Sequence, residues 1–152
     1  MAFLFGRSRQ KTPAELVRAV FDSAGRLDIP VEKKRAQEDI AKQLAAMKSI
    51  LIGDGSGSGL PGDASSAQAE QVALLAQEIY TKNMLLLLAS NIWRLDFDAR
   101  KDFTVIFNML LRRQIGSRFP TVDFISTHEE ILIALVKGYV VKLMPELYYW
   151  VF

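Results

Sequence analysis

Cysteine is absent from the 152 residues. Its absence excludes disulfides, thiolate zinc sites and cysteine nucleophiles, and fits a reducing compartment. Histidine occurs once, so any metal site or triad built on imidazole would have to draw its other members from scattered positions. An excess of charge of one sign is lacking too. The 19 Lys and Arg stand against 17 Asp and Glu, a net +2 that gives no footprint for nucleic acid. What asymmetry exists is mild: ten basic and six acidic groups in residues 1–52, one basic and four acidic in 53–90, which solvated helix faces account for. Long hydrophobic runs are missing. "MLLLLA" (Met84 to Ala89) is far short of a bilayer, and the stretch from Ile131 is broken by Lys137, Lys142, Pro145 and Glu146. The opening "MAFLF" is too short for a signal peptide, and Ala2 does not fit the N-myristoylation pattern. A soluble, cytoplasmic protein is expected.

Half the residues are apolar, enough for the core of one domain or part of a repeat array. Their spacing is helical throughout, with no sustained period-two alternation. Thr12, Pro13 and Glu15 form a helix start with a capping box, Leu16, Val17, Val20 and Phe21 its buried stripe, and Gly25 its expected stop. A second amphipathic helix is predicted from about Val31 to Ile52 on Ala36, Ile40, Leu44, Met47 and Leu51. "GDGSGSGLPGDASS" (53–66) reads as a flexible loop. Helix is expected to resume after Ser65 or Ser66, with Val72, Leu75, Ile79 and Tyr80 inward and Asn83 ending it or capping the next. "MLLLLASNI" is apolar nearly all round and should be central. Asp96 or Asp98 starts a helix that buries Phe103, Ile106, Phe107, Leu110 and Leu111. A short helix from Thr121 and a longer one capped by Thr127 follow. The class is all-α, and the spacing fits either a closed bundle or a solenoid.

Sites of chemistry are scarce. Gly57, Gly59 and Gly62 have G-x-G-x-x-G spacing but lack the preceding strand, and Pro61 interrupts them. The segment from Asp54 echoes a calcium loop, yet places Ser56, Ser58 and Ser65 where charged ligands belong. His128 precedes Glu129 and Glu130, which point to different helix faces and favour the helix dipole. There is no nucleophile, no paired-carboxylate pattern and no metal spacing, so no enzyme, no cofactor and no small-molecule substrate are expected. One cluster stands out: Arg112, Arg113 and Arg118 within "FNMLLRRQIGSRFPTVDFI". Arg112 and Arg113 suit the negative end of a helix, Gly116 a left-handed terminating position and Pro120 the next start. Arg118 is left over, and three guanidinium groups in seven residues also suit a protein interface.

The same stretch carries a resemblance. "RRQIG", the following Arg, "PTV" and "LVKGY", with the opening "MAFLFGRSRQKTPAELV", "MKSIL" and "LAQEIY", resemble the calcium-binding protein 39 family of mouse protein 25-like scaffolds. The Gly/Ser loop resembles its fungal, conidiophore-development members. The resemblance implies an armadillo- or HEAT-like stack of helices, of which this would be the N-terminal part. It implies a non-enzymatic scaffold that binds and activates Ste20-type protein kinases or pseudokinases in cell polarity and morphogenesis, at sites of polarised growth or septation. The calcium of the family name finds no support in these residues. The resemblance covers residues 1–139. Beyond it, where relatives continue with something like "ESPEIALNCG", residues 140–152 read "VVKLMPELYYWVF". Every valine codon begins with GT, as most introns do, so this tail is expected to be translated intron. If genuine, its Tyr148, Tyr149, Trp150 and Phe152 should cover the end of the stack. Two alternatives to an activating scaffold remain: a truncated, non-activating or dominant-negative fragment, and a protein held at a membrane by residues 131–152.

Overall fold

The computed structural model describes residues 10–53 and 64–143, without the side chains of 64–66 and 141–143. Gly57, Gly59 and Gly62, the calcium-like segment from Asp54 and the aromatic tail Tyr148–Phe152 lie outside the described residues.

Seven α-helices account for most of the described chain: α1 (Pro13–Ala24), α2 (Lys33–Ile52), α3 (Ala64–Thr81), α4 (Met84–Asn91), α5 (Phe97–Arg112), α6 (Pro120–Ser126) and α7 (Glu130–Leu143). A 3-10 turn (Ile92–Arg94) links α4 to α5, and the described residues contain no strand. The start of α1 is as the sequence predicts. Thr12 Oγ1 accepts from the Glu15 N–H, and the Glu15 carboxylate accepts from the Thr12 N–H at 2.8 Å. Asp96, not Asp98, caps α5, accepting from the Ala99 N–H at 2.7 Å.

Three local expectations are corrected. Gly25 does follow the last residue of α1, Ala24, but it does not turn left-handed there. Its φ is −61°, and Arg26, Leu27 and Ile29 continue through i−3 hydrogen bonds. Those turns run on to Glu32, so α2 starts at Lys33 and leaves Val31 91% exposed. Thr127 turns its hydroxyl back to the Phe124 carbonyl at 2.8 Å and so finishes α6. Asn83 does serve as the corner between α3 and α4, in the left-handed region (φ 52°) that Asn tolerates better than most residues, without a side-chain cap bond.

The helices pack in layers. α1 lies against α2, α3 and α4. α2 carries α1 on one side and α5 on the other, and α4 and the 3-10 turn carry α7. The core joins Val20, Ile40, Leu44, Met47, Ile79, Leu88, Phe103 and Ile106, all at or near zero exposure. Each such side chain contributes about 1.5–3 kcal/mol by leaving water. Phe21, Leu51, Tyr80, Phe107 and Leu111 are only partly buried against it. Between the 3-10 turn and α7 the approach is close: a Cβ at Gly138 would lie 2.5 Å from Ile92 Cγ2. Polar ties cross the layers. Lys48 of α2 pairs with Asp102 of α5, whose side chain is 12% exposed. Arg94 pairs with Asp28, and Arg26 with Asp39 at 2.9 Å. No single helix among the described residues is long and apolar enough to cross a membrane; α3 and α4 qualify only as a pair bent by 68°.

Candidate functional site

The arginine segment leaves the end of α5. Arg112 occupies the last helical turn, beside free carbonyls, and is exposed. Arg113 leaves the helix in extended conformation (φ −68°, ψ 118°), its N–H still bonded to the Leu110 carbonyl. Two residues later the chain reverses. Ile115 and Arg118 exchange backbone hydrogen bonds at 2.9 and 3.1 Å around Gly116 and Ser117, with Gly116 at φ 62°. Gly116 is therefore left-handed as expected, but it forms a tight turn four residues after the helix ends rather than terminating the helix.

Arg118 acquires an explanation that its sequence position did not offer. Its Nε and Nη2 donate to Asp123 Oδ2 at 3.3 and 3.1 Å, bracing the turn against the first turn of α6. The pair is well exposed, 77% and 50%. The three arginines thus do not converge. Arg112 faces solvent and Arg118 is paired. Arg113 is half-buried and lines an open cleft of about 440 Å³ with Gln114 and Ile115 from its own segment and Gln68, Ala69 and Val72 from α3. No carboxylate among the described residues pairs with Arg112 or Arg113. The Gln114 amide donates to the Gly116 carbonyl at 3.0 Å, so the cleft wall and the turn are one unit. An arginine among amides and apolar carbons can hold a carboxylate by its planar fork; it supplies neither nucleophile nor base.

Sequence reasoning missed Gln68, Ala69 and Val72, which reach the cleft from more than forty positions away. Gln114 and Ile115 stand in the quoted stretch, but their spacing gives them no role. The lone histidine is accounted for by packing. His128 stacks on Phe124 (centroids 4.1 Å, 20°), Nδ1 lies 2.9 Å from the Phe124 carbonyl, and Phe124 in turn meets Tyr80 at 5.0 Å. No group of three or more His, Asp or Glu among the described residues could hold a metal ion.

Comparison with known proteins bears on this stack directly. A family model described as Mo25-like matches residues 3–147, nearly the whole chain. The chain belongs to the Mo25-like family. Its relatives include the calcium-binding protein 39-like protein of Mus musculus, 42% identical over 137 residues, which are 90% of this chain and 38% of that protein. MO25-like protein 2 of Caenorhabditis elegans is 39% identical over 142 residues (90% of this chain, 39% of that one). The conidiophore development protein hymA of Emericella nidulans is 33% identical over 144 residues (91% and 35%). The chain spans less than two fifths of the length of these relatives. Mo25-like proteins have a helical repeat fold, so the layers described above are part of a solenoid.

Proposed function

We propose that this Mo25-like chain is a non-enzymatic scaffold that binds and allosterically activates protein kinases or pseudokinases of the Ste20 type. It would act in the cytoplasm, in a network for cell polarity and morphogenesis at sites of polarised growth or septation. The family match over residues 3–147 carries this reading. The physical basis is population shift: a stiff stack of helices that binds the active arrangement of a kinase better than the inactive one raises its share of the population. Packed layers tied by Lys48–Asp102 and Arg94–Asp28 supply the stiffness.

The test is a phosphotransfer assay. A purified Ste20-type kinase is titrated with the chain and, in parallel, with a full-length calcium-binding protein 39-like relative. Activation by both supports the reading. Binding without activation by the chain supports the alternative of a non-activating, dominant-negative piece. Absence of binding by the chain, where the full-length relative binds, defeats the scaffold reading for these residues.

One observation favours a second reading, association with a membrane surface through residues 131–152. The outer side of α7 exposes Leu132, Ile133, Val136 and Tyr139, each 49–66% accessible and spaced along one stripe. Flotation with phosphatidylcholine vesicles, with and without phosphatidylserine, decides it. Co-flotation abolished by Leu132→Lys with Val136→Lys is required, and a chain that stays at the bottom of the gradient ends this reading.

A further inference from the structure

We propose that the cleft between the first turns of α3 and the α5–α6 connection is a docking site for an acidic side chain of a partner protein, a carboxylate flanked by apolar residues, with Arg113 as the receiving group. Four observations converge on this occupant. First, Arg113 is half-buried yet has no carboxylate partner among the described residues, whereas Arg118, five positions on, is already neutralised by Asp123. A cation held in a concave, partly desolvated place attracts an anion more strongly than one on an open face. Second, the groups beside it are the amides of Gln68 and Gln114, which can donate to the second carboxylate oxygen or to a peptide carbonyl. Third, the remaining wall is Ala69, Val72 and Ile115. Ile115 is 53% exposed, an apolar surface that a neighbouring aliphatic side chain would cover. Fourth, Arg113 stands on a braced support. Its segment is held by the paired turn at Gly116, the Gln114 amide and the Arg118–Asp123 pair, so little ordering is left to be done on binding.

The chemistry disfavours other anions. Phosphate-reading sites gather several cations, and here one guanidinium lines the cleft. Nucleic acid is disfavoured by the near-neutral charge of the whole chain. An acidic peptide needs one fork, a few amide contacts and an apolar wall. This inference deepens the scaffold reading by naming the chemistry of a contact on the partner, and it rests on that reading only for the partner's existence.

The experiment uses the full chain and two capped peptides, acetyl-Ala-Leu-Glu-Val-Ala-amide and the same peptide with Gln in place of Glu, titrated by NMR. The expected result is that the Glu peptide binds about tenfold more tightly than the Gln peptide, the size of one charge-assisted bidentate contact. That preference should vanish in Arg113→Gln, shrink in Arg113→Lys, which keeps the charge but loses the fork, and persist in Arg118→Gln. Far-UV circular dichroism verifies that each variant is folded. Equal binding of the two peptides, no binding of either, or a preference that survives Arg113→Gln overturns the proposal. The outcomes separate from those of the kinase assay. A kinase activated equally by the chain and by Arg113→Gln, with no peptide preference, removes this cleft and leaves the scaffold intact. A peptide preference without any kinase binding does the reverse.

Discussion

The Tyr80 hydroxyl lies 2.6 Å from Thr121 Oγ1, and Thr121 lies 2.7 Å from the carbonyl of Leu110. The direction of both bonds follows from the inventory of donors. A carbonyl can only accept, so the single Thr121 proton goes to Leu110, and Tyr80 must donate to Thr121. Three helices, α3, α5 and α6, are joined through one fully buried hydroxyl. The Leu110 carbonyl, in the last turn of α5, already accepts from the Arg113 N–H at 3.2 Å, and Thr121 adds a second donor from the next element.

Thr121→Val keeps the shape and removes the relay. It should destabilise the chain by about 1–2 kcal/mol, because the Tyr80 hydroxyl loses its acceptor and Leu110 one of its donors. Tyr80→Phe should cost less, about 0.5–1.5 kcal/mol, since Tyr80 is only partly buried. The two should be non-additive in a double-mutant cycle followed by urea unfolding. Strict additivity would mean that the two hydroxyls do not interact.

The ion pairs should separate by burial. Asp102→Ala leaves Lys48, 31% exposed, beside the buried apolar contact between α2 and α5, and should cost about 2–3 kcal/mol. Asp123→Ala opens a pair that is mostly in water and should cost under about 1 kcal/mol, with the loss fading at high salt. Thermal melts at low and high ionic strength check both.

Three glycines should respond in three ways to alanine. Gly25 has helical φ and only ordinary contacts at 3.8 Å, so Gly25→Ala should stabilise by about 0.4–1 kcal/mol through the unfolded chain. Gly116→Ala meets no neighbour but is forced to φ 62°, at a cost of about 1–2 kcal/mol. Gly138→Ala keeps good backbone and loses room against Ile92, so it should cost about 1–3 kcal/mol and loosen α7 from the 3-10 turn. Chemical denaturation of the three variants would show the order of the signs.

Asn83 holds a left-handed corner with a buried Oδ1 that has no hydrogen-bond partner among the described residues. Asn83→Gly relieves both conditions, and the expected outcome is a melting temperature equal to or above that of the parent chain. A clear loss of stability would show that the amide is satisfied in solution.

Local chemistry was legible in the sequence, and long-range chemistry was not. The capping box of Thr12 and Glu15 spans three residues, and the stripe Ala36–Ile40–Leu44–Met47 follows helical period. Both could be read because each is decided within one element. Gly25 marked the end of α1 at Ala24, but the spacing did not show that the chain would go on in tight turns rather than turn left-handed, an outcome that the burial of Leu27 favours. Arg118 was unexplained because its partner, Asp123, lies across a turn and a helix start whose geometry the spacing does not give. The cleft was half visible: Arg113 could be named, but Gln68 and Val72 reach it only once α3 is packed.

The α4–α7 contact gives the stack a direction of opening. α7 is held chiefly by α4 and the 3-10 turn, whereas α1, α2 and α3 each pack against three other helices. Amide exchange should therefore begin at the C-terminal layer and move inward, and a protease should find the joint around Thr127–Glu129 before any other between α4 and α7. The three earliest helices would stay shut while the last one breathes, which makes the order of the layers also an order of lifetimes.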